Sequence, residues 1–127
     1  MTEPQYRLAG LVVHGLQNGR KVNMPTANLQ LHQGFEMPPF GVYAARLSVE
    51  GKEYLGVTNV GLRPTLEGKQ QPTIETFILD FQGDLYGKEL QLFLYDLLRP
   101  TRKMTSLEEV KIQVEKDALA TRALLTD

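Results

Sequence analysis

The chain has no cysteine and no tryptophan, and only 8% of its 127 residues are aromatic. Without cysteine there are no disulfides, no thiolate metal sites and no cysteine nucleophile. Its 14 Lys and Arg residues face 15 Asp and Glu. That near-cancellation removes the global field that would draw the chain to nucleic acid or anionic lipid. The scarcity of large rings also argues against a surface that stacks single-stranded bases. No apolar run approaches the ~20 residues of a membrane span, and the N-terminus has no signal-peptide core. Sequence motifs of serine hydrolases, P-loop NTPases and dinucleotide-binding folds are missing as well. With only His14 and His32 available, a histidine zinc site is not expected either. The expectation is a single cytoplasmic domain over residues 1–127, working as a monomer without nucleic acid or membrane.

What is present is concentrated in one loop. Gly15-Leu-Gln-Asn-Gly-Arg-Lys-Val-Asn-Met-Pro-Thr-Ala-Asn28 combines glycines, two cations, a hydroxyl and a side-chain carbonyl. Freed backbone amides, Arg20 and Lys21 suit polyphosphate, and the oxygens of Thr26 and Asn28 suit a hard cation. Proline, threonine and asparagine also share ordinary turns, so the four-residue core says little alone.

β-favouring runs separated by turn residues predict strands over Leu8 to His14, Ala27 to Leu31, Val42 to Val49, Glu53 to Val60, Thr73 to Phe81 and Glu89 to Leu98. Gly61 to Pro72, with its prolines and glycines, reads as a long loop. At the C-terminus the period changes. Ser106-x-x-Glu109 fits a capping box, and Leu107, Val110, Val114 and Leu119 predict the apolar side of a helix ending near Leu125. Six short strands followed by one helix make a mainly β fold, a small antiparallel barrel with the helix packed outside.

In the fifth strand the two-residue period puts Glu75, Phe77, Leu79 and Phe81 on one face and Ile74, Thr76, Ile78 and Asp80 on the other. A carboxylate on an aromatic-rich face is open to two readings. It is either a strand-end glutamate that reaches solvent or a lysine, or a partly desolvated general base. The basic run Arg99-Pro-Thr-Arg-Lys103 is likewise a solvated loop or an anion contact.

In order along the chain, Gly10-x-Val12-x-His14-Gly15, Gly19-Arg20, Pro25-Thr26-Ala27-Asn28, Gly41-Val42-Tyr43, Asn59-Val60-Gly61-x-Arg63-Pro64-Thr65, Glu75, Phe81, Gly83-Asp84-Leu85-Tyr86-Gly87, Leu98-Arg99-Pro100 and Ser106-Leu107 to Asp117 resemble the riboflavin kinase (flavokinase) family. The resemblance runs collinearly over roughly residues 6–125. It implies a six-stranded antiparallel Greek-key-like barrel with an outer C-terminal helix. The implied activity is transfer of the ATP γ-phosphoryl group to the ribityl 5′-hydroxyl of riboflavin, giving FMN and ADP. By matching position, Glu75 would be the base, and Thr26 and Asn28 would hold Mg²⁺ or another divalent cation. Gly15, Arg20, Lys21 and Thr26 would meet ATP. Ile78, Asp80, Tyr86, Arg99, Arg102 and Met104 would lie near the flavin.

Four positions depart from the family pattern. Asn23 stands where glycine is usual, and Met24 and Met104 where phenylalanine or another bulky residue is common. Thr76 follows Glu75 where histidine is frequent. The changes in the approach to the Pro-Thr-Ala-Asn motif motivate an alternative, a non-enzymatic flavin-binding module on the same barrel. The nucleotide motif of an FMN adenylyltransferase does not occur, so the product expected of this chain is FMN rather than FAD.

Overall fold

The computed structural model describes residues 3–13, 26–64, 68, 70–101 and 104–126, with backbone alone at 63, 64 and 70. The chain folds into β1 (Tyr6–Val13), β2 (Thr26–Leu31), β3 (Gly41–Val49), β4 (Lys52–Pro64), β5 (Gln70–Ile78), β6 (Glu89–Arg99) and α1 (Leu107–Leu125). The strands close into an antiparallel barrel in the order β1-β2-β5-β4-β3-β6. Consecutive hairpins join β3, β4 and β5, while β6 returns to lie between β3 and β1. Within the closed part of the barrel each strand is paired on both sides.

Alternation along each strand decides what fills the barrel. Leu8 and Val12, Leu29, Tyr43, Ala45 and Leu47, Val60, Ile74 and Ile78, and Leu90, Leu92 and Leu94 form the interior. Thr58 and Thr76 also point inward, and their hydroxyls satisfy each other at 2.7 Å. Burial raises the pKa of the Tyr43 phenol, with Tyr6 adding to the effect. The protonated hydroxyl donates to the Pro39 carbonyl oxygen at 2.6 Å.

A second apolar layer lies outside the barrel, beneath α1. Val42, Val57 and Phe77 meet Val114 there, and Ala44 and Tyr95 meet Leu125. β3 is therefore covered on both faces, which is why its sequence GVYAARLSV is nearly continuous in small and apolar residues. Two register shifts interrupt the β3–β6 ladder. They bring Leu98 into the outer layer, against a strict alternation from Leu94, and set Arg99 opposite Val42.

The helix begins as expected. The Glu109 N–H donates to Ser106 Oγ at 3.1 Å. The Glu109 carboxylate reaches back one residue further than a capping box requires, accepting from the Thr105 N–H at 3.2 Å and the Thr105 hydroxyl at 3.0 Å. The buried stripe is Val114, Asp117, Ala118, Thr121 and Leu125. Leu119, expected on that side, is 68% exposed. At about 100° per residue it lies roughly 140° around the axis from Val114.

Two further expectations change. Gly61 to Pro72 is not one long loop, because β4 continues through Pro64 and β5 begins at Gln70, paired as Gly61↔Thr73 and Leu62↔Pro72. Pro72 is tolerated because the β2–β5 ladder stops at Leu29↔Ile74, so no donor is required of it on that side. At the other end β5 stops at Ile78. Asp80 adopts a positive φ of 55°, and the chain reverses there before Phe81 can continue the face of Glu75. Phe81 packs instead on the interior cluster, edge-on to Tyr54 with ring centroids 5.1 Å apart.

The closeness of β1 and β2 gives a direct test of the packing. A Cβ on Gly10 would sit 2.2 Å from the Gln30 carbonyl oxygen and 2.9 Å from Leu29 Cδ1. The Gly10→Ala substitution is expected to destabilise the fold by about 1–3 kcal/mol, through forced separation of two paired backbones. Urea unfolding followed by circular dichroism measures it.

Candidate functional site

The outer face of the barrel carries the candidate polar groups. Directly opposed residues of neighbouring antiparallel strands share a face, with Cβ atoms about 4.5–5.5 Å apart. The registers Asn28↔Glu75, Glu75↔Asn59, Asn59↔Val42 and Val42↔Arg99 therefore make one row across five strands. The neighbouring row is Thr26, Phe77, Val57 and Ala44. Glu75 stands between two asparagines, Asn28 on β2 and Asn59 on β4. Thr26 is two residues from Asn28 and on the same face.

Helix α1 packs on β3 and β4 and roofs the far half of this row. Between helix and barrel lies a cleft of about 230 Å³. Its floor is apolar, made by Val42, Val57 and Phe77, and Val110 and Val114 face it from the helix. Glu75 and Asn59 line it with the floor, and Met104 adds a thioether from the segment that leads into α1. Arg99 and Asp117 complete the lining.

That last pair is tightly made. Arg99 Nη2 donates to Asp117 Oδ2 at 2.9 Å, and Arg99 Nε reaches the two carboxylate oxygens at 3.2 and 3.3 Å. Gln113 Nε2 donates to Asp117 Oδ1 at 3.0 Å from one helical turn earlier. The side chain of Asp117 is only 6% exposed and that of Arg99 20%. The Asp117 side chain is held there by the charge-assisted hydrogen bonds from Arg99 and by the bond from Gln113.

The residues singled out in the sequence divide between this cleft and other places. Glu75, Arg99 and Met104 come together in it, and Asn28 and Thr26 lie along its Glu75 side. Asn28 also lines a neighbouring depression of about 210 Å³ with Val13, Gln30, Gln71 and Thr73. Ile78, by contrast, is buried in the barrel interior, on the opposite face from Glu75. Asp80 occupies the exposed turn after β5 and pairs with Arg122 of the helix at 3.3 Å. Tyr86 is half exposed in the β5–β6 connection, where its backbone N–H donates to Asp84 Oδ1 at 2.9 Å. The next residue, Gly87, donates its N–H to the Val12 carbonyl. None of these three lines the cleft. Gly15, Arg20, Lys21 and Arg102 lie outside the described residues, as do His14, Asn23 and Met24. Thr76 turns into the barrel to meet Thr58, so its substitution for the more frequent histidine does not alter the cleft wall.

Asn59, Val42, Val57 and Asp117 were not anticipated as lining residues. Asn59 carries a signal in its parity, since any β4–β5 hairpin pairing it with Glu75 puts both amide and carboxylate outside. Asp117 carries another, as a carboxylate on the apolar stripe of a helix demands a buried partner.

For a cation, the oxygens of Thr26 and Asn28 are hard donors on one face beside Glu75, a set that fits Mg²⁺ once phosphate and water complete its shell. Among the described residues, no group of three or more His, Cys, Asp or Glu side chains could hold a metal ion. No described helix is long and apolar enough to cross a membrane.

The chain matches known proteins over nearly its whole length. The family model described as "Flavokinase: Riboflavin kinase" matches residues 2–125. A bifunctional riboflavin kinase/FMN adenylyltransferase of Bacillus subtilis is 40% identical over 114 residues, 88% of this chain and 36% of the relative. Its counterpart from Pseudomonas fluorescens is 39% identical over 119 residues, 94% of this chain and 38% of the relative. The chain thus spans little more than a third of the length of these relatives. Among solved structures, riboflavin kinase from Trypanosoma brucei superposes with a TM-score of 0.64 at 25% identity, over 96% of this chain and 80% of that one. A Streptococcus pneumoniae chain described as a macrolide-efflux protein superposes with a TM-score of 0.83 at 33% identity, over 94% of this chain and 38% of its own. A match running almost from end to end, on a barrel whose outer face sets Glu75 between two asparagines, means that the chain belongs to the riboflavin kinase family.

Proposed function

We propose that this chain transfers the γ-phosphoryl group of ATP to the ribityl 5′-hydroxyl of riboflavin, releasing FMN and ADP. The observation that carries the reading is the row Asn28–Glu75–Asn59, at one side of an apolar cleft whose lining also includes Arg99. A flat, largely apolar ring system suits the floor of Val42, Val57 and Phe77, with Met104 against it. Arg99 offers donors to the ring's acceptor atoms, and Arg102 is assigned to the flavin by family resemblance. Ile78, Asp80 and Tyr86 are assigned to the flavin on that resemblance alone, and the geometry described above adds no support for them.

The ribityl chain then extends toward Glu75. Its carboxylate accepts the hydroxyl proton as the oxygen attacks phosphorus, and the O–P bond to ADP breaks on the opposite side. Phosphoryl transfer asks mainly for alignment and charge neutralisation, so the base is one contributor among several. Thr26 and Asn28 are the residues that would hold a divalent cation, which when bound neutralises phosphate charge. Gly15, Arg20 and Lys21 are assigned to ATP. The reading needs neither nucleic acid nor a second copy of the chain, since a single chain supplies both Glu75 and Arg99.

Incubation of the purified protein with Mg-ATP and riboflavin, followed by chromatography, should show FMN. Folded protein that makes none with any of several divalent cations would defeat the proposal, and flavin quenching without turnover would favour the non-enzymatic module. Glu75→Gln is expected to lower kcat about 10²–10⁴-fold while riboflavin still quenches. Normal turnover by that variant would remove Glu75 from the role of base. Asn28→Ala should raise the Mg²⁺ concentration for half-maximal rate by roughly tenfold or more. A metal titration at saturating ATP reads that shift.

A further inference from the structure

Asp117 is the one carboxylate on the buried stripe of α1, and it does not touch the apolar floor alone. It accepts from Arg99 Nε and Nη2 and from Gln113 Nε2, so its oxygens are occupied by three donor groups. Arg99 makes one more bond, from Nη1 to the Pro100 carbonyl oxygen at 3.4 Å. A guanidinium has five N–H groups. After these contacts one remains on Nη1 and one on Nη2, on a residue that lines the cleft.

A buried ion pair of this kind contributes little net stability, because desolvation offsets most of the attraction. Two apolar residues could join helix and strand as well. What the pair supplies instead is a fixed location for a long side chain that otherwise samples many rotamers. The partner that fixes it comes from the helix, whereas Arg99 comes from β6 and Glu75 from β5. The helix thereby determines where the arginine end of the cleft stands relative to the base.

We propose that Asp117, itself steadied by Gln113, is a positioning residue for riboflavin. It clamps the Arg99 guanidinium in the cleft lining, so that its two remaining N–H groups are preorganised for the carbonyl oxygens and ring nitrogens of the isoalloxazine edge. The inference rests on the riboflavin kinase reading, and it adds a residue that sets flavin affinity by holding Arg99 in place. Charge-assisted hydrogen bonds are directional, and an arginine free to swing would form them at a lower effective concentration.

The test is a thermodynamic cycle in the full chain, with folding of every variant checked by circular dichroism. Riboflavin affinity is read by fluorescence quenching, and KM is measured separately for riboflavin and ATP. Asp117→Asn should weaken riboflavin binding and raise its KM roughly tenfold, with the KM for ATP within about twofold. Asp117→Glu, which retains the charge, should recover most of the loss. In an Arg99→Gln background, Asp117→Asn should change riboflavin affinity by less than about twofold, since its means of action is gone. An unchanged riboflavin affinity in folded Asp117→Asn overturns the proposal. So does an equal loss with and without Arg99, which is the signature of a general structural effect. If Asp117→Asn does not fold, Gln113→Ala takes its place. That variant is expected to raise the riboflavin Kd about two- to threefold with the KM for ATP unmoved, and no change in Kd counts against the proposal. Parent protein that neither binds riboflavin nor makes FMN overturns both readings, whereas an active parent with an indifferent Asp117→Asn overturns this one alone.

Discussion

The register of β5 is the constraint on which the rest of the site depends. β5 is paired on one side with β2 and on the other with β4, and closure of the barrel leaves neither pairing free to slide. A shift by one residue would turn Ile74, Thr76 and Ile78 outward and carry Glu75 into the interior. The interior prevents this, because those three side chains are almost completely buried among Leu29, Val60 and Thr58. Glu75 therefore stands outside, between Asn28 and Asn59, as a consequence of what fills the barrel. The chemistry of the outer face is held in place by the packing of the inner one.

A barrel alone would leave the Glu75 row as an open surface. The helix turns half of it into a cleft by laying Val110 and Val114 over Val42, Val57 and Phe77. Its position is fixed by several independent contacts. Leu125 packs against Ala44 and Tyr95, and Arg46 donates to the Leu125 carbonyl oxygen. Arg122 pairs with Asp80 across the turn that ends β5, and Asp117 grips Arg99 near the end of β6. The first contacts are apolar and supply stability. The Arg99–Asp117 pair contributes little of that, and its consequence is geometric, locating a cation within the cleft.

Most of the fold was legible in the run of residues. The six strands and the capped helix follow from alternation, turn residues and the Ser106–Glu109 spacing, and their order agrees with the barrel. The failures have particular causes. Prolines and glycines over Gly61 to Pro72 suggest a loop, but Pro72 sits where one side of β5 has no partner, so the strand survives it. Leu119 looks like core by hydrophobicity, yet its angle on the helix carries it to solvent. The alternation that joins Phe81 to Glu75 fails at Asp80, where a single positive φ reverses the chain. At the site, Glu75, Arg99 and Met104 were anticipated and do converge. Asn59 and Asp117 fall within the matched motifs but were given no role, because each acquires meaning only from the residue it faces.

By itself, the sequence determined the class of fold and the family, and it singled out the candidate reactive groups. These depend on local periodicity, turn chemistry and collinear motifs, all of which are written in one dimension. The tertiary structure alone decided which of those groups share a space. Ile78 and Glu75 are three residues apart but lie on opposite sides of a barrel wall, and Asp80 is drawn off to Arg122. Arg99 and Asp117 are separated by a strand end, a connecting segment and half a helix, yet they share hydrogen bonds. Contacts of that kind follow from strand register, from two shifts in the β3–β6 ladder and from the rotation of a helix about its axis, and no spacing along the chain specifies them.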